Sequence, residues 1–199
     1  MNLFYFDDDD DDLEKGNSPI IDPLATRMLR TRTILISGEI NKELAEKTIR
    51  QLLLLEDMSD DPIRIFIDSP GGDADAGYAI FDMIRFVKPY VWTIGMGLVA
   101  SAAAIIQLAS PKERRVGLPN SHYLIHQPLS GIRGVATDIE IHAKEVEKLR
   151  ERINNLIAQE TGIPIAQIEK DTDRDFWMSA EEAVSYGLIS KVITNRSEI

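Results

Sequence analysis

The sequence predicts an α/β fold, in which strands alternate with helices and pair in parallel. Short runs rich in valine, isoleucine and aromatic residues recur along the chain, as half-buried strands require. The segments between them repeat their apolar residues at helical spacing, and this alternation is typical of parallel sheets covered by helices. A length of 199 residues, 44% hydrophobic and 28% charged, favours one soluble globular domain with a small appendage.

The appendage is the N-terminal segment, which differs from the rest in composition. An apolar tip, MNLFYF, is followed by six consecutive aspartates, Asp7 to Asp12, and then by KGNSP. A block of like charges repels itself, so we expect a flexible acidic segment at residues 1–23 and a folded domain at residues 24–199. Adjacent carboxylates in such a segment are not preorganised, which argues against a metal site there.

Five strands are expected in the folded domain, and helices fill the intervals between them. The strands cover Arg32–Ser37, Ile63–Asp68, Tyr90–Met96, Tyr123–His126 and Leu188–Thr194. Asn41 caps the first helix, residues 75–87 form the second, and the third begins at or near Ser101. The last helix opens at the capping box of Ser179–Glu182 and closes at Gly187.

The longest predicted helix runs from about Thr137 to Glu160, roughly 36 Å at the usual helical rise. A continuous apolar stripe follows it, made of Ile139, Val146, Leu149, Ile153 and Leu156. A domain of this size cannot bury the whole stripe of so long a helix. We therefore expect part of it to pack on another subunit, and a monomer with a protruding hairpin is the alternative.

Composition also excludes several classes of function. The formal net charge of −11 disfavours nucleic-acid binding, which needs clustered lysine and arginine. No apolar run approaches the roughly 18 residues of a membrane span, and the N-terminus lacks the basic start of a signal peptide, so we expect a cytoplasmic protein. The absence of cysteine excludes disulfides, thiolate nucleophiles and cysteine-based zinc sites.

The stretch GMGLVASAAAII contains one hydroxyl, that of Ser101, between a predicted strand and a predicted helix. Parallel sheets place their sites at the carboxyl ends of strands, so this serine is a candidate nucleophile. The alternative is a helix N-cap. The backbone N–H of Ala102 is a candidate donor to an oxyanion.

A second backbone donor is expected in DSPGGDADAG, where a Pro-Gly-Gly turn joins a strand to a helix. Glycine allows the main chain to approach a ligand closely, so the turn is a candidate half of an oxyanion hole. A tight connection without chemistry is the alternative.

A serine nucleophile needs a base, and only three histidines exist. His142 lies among charged residues of the long helix and is expected to be exposed, and His122 opens a strand. His126 ends the run YLIH just before a turn and is the best candidate. Among the carboxylates Glu169, Asp171, Asp173 and Asp175, the last ranks first, because Phe176 and Trp177 follow it and are expected to bury it.

Four stretches together resemble the proteolytic subunits of the Clp protease, the ClpP family: DSPGGDADAGYAIFDMIRFVKP, GMGLVASAAA, LPNSHYLIHQPLSGIRGVATDIEIHAKE and IEKDTDRDFWMSAEEAVSYGLI. The resemblance covers about residues 25–194. It implies a ClpP/crotonase-like fold with a spiral core and a projecting helical handle at about residues 137–160. It implies a triad of Ser101, His126 and Asp175, with the backbone amides of Gly72 and Ala102 as the oxyanion hole.

The resemblance also implies partners. Two seven-membered rings stack through the handles, as a homo-oligomer or with a second ClpP, and an AAA+ unfoldase such as ClpX, ClpA or ClpC delivers polypeptides. Substrate is held as an added strand by Leu129, Ser130, Gly131, Ile132, Arg133 and Gly134. ATP is used by the unfoldase, since this chain has no P-loop motif, and no metal or other cofactor is expected.

Two features depart from the family pattern. Ala102 and Ala103 follow the serine where Met-Gly is usual, and an acidic run occupies the end that forms the axial loop in the family. They suggest a divergent paralogue, so a catalytically weak ring subunit that needs a second ClpP is the alternative function. A crotonase-like acyl-CoA enzyme is disfavoured by the IHQP motif, and a Ser/Lys protease by the lack of a membrane anchor.

Overall fold

The computed structural model describes residues 23–199, so the predicted flexible acidic segment lies outside the described residues except for its last residue. The strands are β1 (Thr33–Ser37), β2 (Ile63–Ser69), β3 (Val91–Ala100), β4 (Arg115–Gly117), β5 (His122–Ile125), β6 (Phe176–Ser179) and β7 (Lys191–Val192). The helices are α1 (Pro23–Arg30), α2 (Lys42–Met58), α3 (Ala74–Phe86), α4 (Ala102–Gln107), α5 (Ala136–Thr161), α6 (Ile165–Asp171) and α7 (Ala180–Tyr186).

All seven strands belong to one sheet, whose order is β1-β2-β3-β4-β7 with β5 and β6 off this path. The ladders along the main path are parallel, which confirms the α/β fold. β3 is long enough to pair twice: its first half pairs with β4 and its second half with β5. β6 then pairs antiparallel with β5, and this pairing was not predicted.

The core lies between the sheet and the helices that cross over it. In β2 the residues alternate between buried and half-buried, and its isoleucines Ile63, Ile65 and Ile67 are fully buried. Burial of each such side chain contributes about 1.5–3 kcal/mol. α3 and α4 pack on this face with small residues at their contact, since Ala102 lies against Gly77. This close packing fixes where α4 begins.

The predicted helix ends are confirmed. The Asn41 side chain accepts a hydrogen bond from the backbone N–H of Leu44, and the capping box at Ser179 and Glu182 has both of its bonds. The predicted strand at residues 188–194 is wrong in length. Leu188 instead donates its N–H to the carbonyl of Ala183 and closes α7, which leaves only Lys191–Val192 for β7.

The long helix α5 has 26 residues, about 39 Å at the usual rise. Its buried residues are Ile153, Asn154 and Ile157, all toward its C-terminal end. Farther toward the N-terminus, Ile139 is 43% exposed. One chain therefore leaves the start of the apolar stripe, at Ile139, exposed.

Candidate active site

Ser101 lies at the carboxyl end of β3, where α4 begins. Its backbone N–H continues the β3–β5 ladder by donating to the carbonyl of Leu124 at 2.9 Å. The residue holds φ 56° and ψ −120°, a conformation that costs a side chain of order 1–3 kcal/mol. It occupies the N-cap position, but its side chain makes no capping hydrogen bond. The alternative is thus confirmed for the position of Ser101 but not for its side chain, and the hydroxyl is left for another role.

Ser101 and His126 line one cleft of about 870 Å³, together with Gly72 and Ala102. The cleft runs between the ends of the strands and helix α5. Its apolar lining is formed by Ile105 of α4, Ile125 of β5, and Leu149 and Ile153 of α5. Ser101 and His126 thus face a single space, whereas Asp175 is not among the residues that line it.

His126 and Asp175 are brought together by the antiparallel pairing of β5 and β6. The last pair of that ladder is Ile125 with Phe176, so the next residues outward, His126 and Asp175, stand opposite each other. Opposed residues in such a ladder share one face of the sheet. The His126 Nδ1 and Asp175 Oδ1 atoms are 3.0 Å apart.

The expectation that aromatic neighbours bury Asp175 is wrong. Its side chain is 62% exposed, whereas that of His126 is only 14% exposed, and Trp177 is itself 56% exposed. In a β-strand successive side chains point to opposite faces, so Phe176 cannot cover the carboxylate beside it. Strand register rather than burial selects this carboxylate.

The competing carboxylates have other partners. Asp171 accepts a hydrogen bond from the Tyr186 hydroxyl at 2.9 Å, and burial together with this bond raises the pKa of Tyr186. Asp173 faces Arg150 across 3.5 Å, and Glu169 is exposed on α6. Of the four, Asp175 is the one bonded to a histidine.

The Pro-Gly-Gly turn brings its backbone against Ser101. Gly71 and Gly72 have φ values of 92° and 145°, in the region that favours glycine. A Cβ on Gly71 would lie 2.7 Å from the Ser101 Cβ, and a Cβ on Gly72 would overlap the carbonyl of Ile40. Both glycines are thus required by the close approach of three segments.

Two backbone amides of the cleft have no partner within the described part of the chain. The bridge between Ile40 and Gly72 uses the carbonyl of Gly71 and the N–H of Asp73, so the Gly72 N–H is unused. Ala102 is the first residue of α4, where an N–H has no intrahelical acceptor. Both predicted oxyanion donors therefore line the cleft and are available to a ligand.

The predicted substrate segment, Leu129–Gly134, has no regular secondary structure and is exposed, with Leu129 at 84%. The Ser130 Oγ atom lies 2.6 Å from the His142 Nε2 atom on α5. The expectation that His142 is exposed is wrong, because it is half-buried and lines the cleft. His122 opens β5, as predicted, and is exposed.

Within residues 23–199, no group of histidine and carboxylate side chains is arranged to hold a metal ion. In the same residues, no helix combines the length and the apolar character that crossing a membrane requires. Ser101 Oγ and His126 share the cleft, and no hydrogen bond joins them in the described chain.

Comparisons with known proteins agree on one family. The family model described as Clp protease matches residues 16–196. The chain is 68% identical over 179 residues to the ATP-dependent Clp protease proteolytic subunit 2 of Treponema denticola, covering 89% of this chain and 90% of that protein. It is 50% identical over 192 residues to the proteolytic subunit 3 of Rhizobium meliloti, with 96% and 98% covered. A solved structure of a ClpP1 mutant from Listeria monocytogenes matches at 54% identity with a TM-score of 0.82, covering 87% of this chain and 98% of that one.

Proposed function

Because the chain belongs to the Clp protease family, we propose that it is a serine endopeptidase subunit with Ser101 as nucleophile. His126 is the general base, and Asp175 is the carboxylate that orients it. The observation that carries the proposal is that the Ser101 hydroxyl makes no capping hydrogen bond and shares one cleft with His126. His126 is in turn bonded to the Asp175 carboxylate. A serine used only for packing or capping needs neither arrangement.

The 3.0 Å bond between His126 and Asp175 sets the direction of proton transfer. The carboxylate accepts a hydrogen bond from Nδ1–H, which leaves Nε2 free to take a proton. As Ser101 Oγ bonds to the carbonyl carbon of the scissile peptide, its proton passes to Nε2. The resulting imidazolium is stabilised by Asp175 and gives the proton to the leaving amine as the C–N bond breaks.

The acyl-enzyme is then hydrolysed by the same groups. Water attacks the ester carbonyl while His126 takes its proton, and the proton returns to Ser101 Oγ as the acid product leaves. In both halves the carbonyl oxygen becomes negatively charged. The unused amides of Gly72 and Ala102 are the donors proposed to stabilise it, and loss of one such donor typically costs about 10²–10³-fold in kcat.

The substrate is proposed to be an unfolded polypeptide that adds as a strand to Leu129–Gly134. The exposed and unpaired backbone of this segment supports that mode, which reads main chain more than side chains. The exposed first half of α5 supports handle-to-handle stacking of two rings. An ATP-consuming AAA+ unfoldase as partner and a cytoplasmic location stay predictions from the sequence and its resemblance.

The test is hydrolysis of a short fluorogenic peptide by the purified chain and by Ser101→Ala, with particle mass measured on the same samples. We expect activity in the parent and its loss, by at least about 10³-fold, in Ser101→Ala. The contrary result is full rings without peptidase activity. It favours the catalytically weak subunit that needs a second ClpP, a reading supported by the missing Ser101–His126 hydrogen bond in the described chain.

A further inference from the structure

The chain just after His126 is tied to the chain just before Asp175 by two hydrogen bonds from one residue. The backbone N–H of Gln127 donates to the Thr172 carbonyl at 2.6 Å. Its side-chain Nε2 donates to the Asp173 carbonyl, also at 2.6 Å. Neither bond belongs to the β5–β6 ladder, which ends at Ile125 and Phe176.

One of the two accepting residues, Thr172, is held by a buried contact. Thr172 is fully buried, and its hydroxyl donates to the Asn154 Oδ1 atom at 2.8 Å. Asn154 is 2% exposed and lies in the buried part of α5. Gln127 therefore connects the end of β5 to a buried contact of the long helix.

We propose that Gln127 is a positioning residue that holds the imidazole of His126 at its working distance from Asp175. The inference rests on the proposed function of this pair. His126 and Asp175 stand one step beyond the last ladder pair, and the Asp175 side chain is largely exposed, so strand pairing alone does not restrain them. The side-chain amide of Gln127 adds a hydrogen bond between the two segments beyond the last ladder pair.

Physical arguments indicate an effect on turnover rather than on binding. Gln127 bonds to the main chain of Thr172 and Asp173 and is not among the residues that line the cleft, whereas Leu129 and Ser130 of the proposed substrate segment do line it. A displacement of about 1 Å in a reacting group can cost 10²-fold in rate. Removal of the side-chain donor leaves the backbone bond to Thr172 in place, so we expect a smaller loss.

The experiment compares Gln127→Met with Gln167→Met. Methionine keeps the length of the side chain and removes its donor. Gln167 is a matched control because its Nε2 also donates at 2.6 Å, to Asp171 Oδ1, on an exposed face of α6. Four quantities are measured for each assembled protein: kcat and KM on a fluorogenic peptide, the labelling rate of Ser101 by a fluorophosphonate, the Tm and the particle mass.

For Gln127→Met we expect kcat and the labelling rate to fall about tenfold, with KM, Tm and mass unchanged. Gln167→Met should match the parent throughout. An unchanged kcat in Gln127→Met overturns the inference, and so does a loss of activity that follows a lower Tm or a smaller particle. A parent chain that neither cleaves peptide nor reacts with the fluorophosphonate overturns the proposed function and this inference with it, whereas an active parent with an equally active Gln127→Met overturns the inference alone.

Discussion

The floor and the rim of the cleft are built in different ways. The floor consists of Gly72, Ser101 and His126, with Asp175 bonded to His126 outside the cleft lining. These residues lie at or just beyond strand ends, next to the ladders of β3, β5 and β6 and the bridge to Ile40. The rim consists of residues 128–152, where exposed apolar side chains such as Leu129 and Ile139 have little support from the rest of the chain. One chain thus brings its candidate catalytic residues together by itself but leaves the proposed substrate-facing surface unsupported.

The largest expected effect concerns the floor. Asp175→Asn keeps the shape of the side chain but gives Nδ1 of His126 a different partner, which favours the wrong tautomer for Nε2 to act as a base. We expect kcat on a fluorogenic peptide to fall about 10³–10⁴-fold, the scale known for this change in another serine protease. Steady-state kinetics on assembled particles measures it.

Asp173→Asn is the matched control, because Asp173 faces Arg150 and has no bond to the histidine. Its kcat should stay within about threefold of the parent once particle mass is matched, since exposed ion pairs contribute little. If both variants lose activity equally, the contact between His126 and Asp175 is not what sets the rate.

The floor also shows what sequence reasoning reached and where it stopped. Asp175 was ranked first because aromatic residues follow it, yet those residues leave it exposed. The real cause is the register of β6, a four-residue strand whose last ladder pair joins Phe176 to Ile125, 51 residues earlier in the sequence. Pairing over such a distance leaves no local pattern. The positive φ of Ser101 is likewise set by its surroundings, because nothing in VASAA requires it.

A second prediction concerns the packing beneath the floor. The Tyr123 ring is fully buried, and burial raises its pKa to about 12. The three heavy atoms nearest to a Cβ on Gly95 would all belong to Tyr123, with its hydroxyl oxygen the nearest of them. The contact joins β3, which leads to Ser101, with β5, which leads to His126. We expect Gly95→Ala to destabilise the protein by about 1–3 kcal/mol through overpacking, or about 2–4 °C in Tm per kcal/mol at this length.

Two further variants make this prediction specific. In a Tyr123→Val background the ring is gone, so the added methyl of Gly95→Ala should lower Tm by much less. The double-mutant cycle should therefore give a coupling free energy between positions 95 and 123 of about 1 kcal/mol or more. Gly131→Ala, on the rim, meets nothing within 4 Å and should leave Tm nearly unchanged. Scanning calorimetry at one subunit concentration compares them, and an equal loss from Gly95→Ala in both backgrounds would contradict the packing argument.

For the rim, the sequence predicted the long helix but not the contacts that the helix makes. Helical periodicity gave the long helix to within one residue at each end, since that signal is local and repeated many times. The contact between Ser130 and His142 was missed, because it depends on how an irregular segment folds back on the helix. Such a return path has no periodic signature in the sequence.

The smallest expected effect tests whether the rim binds main chain. Proline at a position removes its N–H, and in an added strand only every second residue directs its backbone toward the substrate. Ile132→Pro and Arg133→Pro should therefore differ: one raises KM about tenfold, and the other changes it by less than about threefold.

Ile132→Ala, which keeps the N–H, should change KM by less than about twofold. Since the backbone of Ile132 has no hydrogen bond within the described chain, Tm should hold in all three. Equal effects from the two prolines, or a large effect from the alanine, would show that side chains rather than a strand ladder hold the substrate, and the rim would then need a more ordered structure than a single chain gives it.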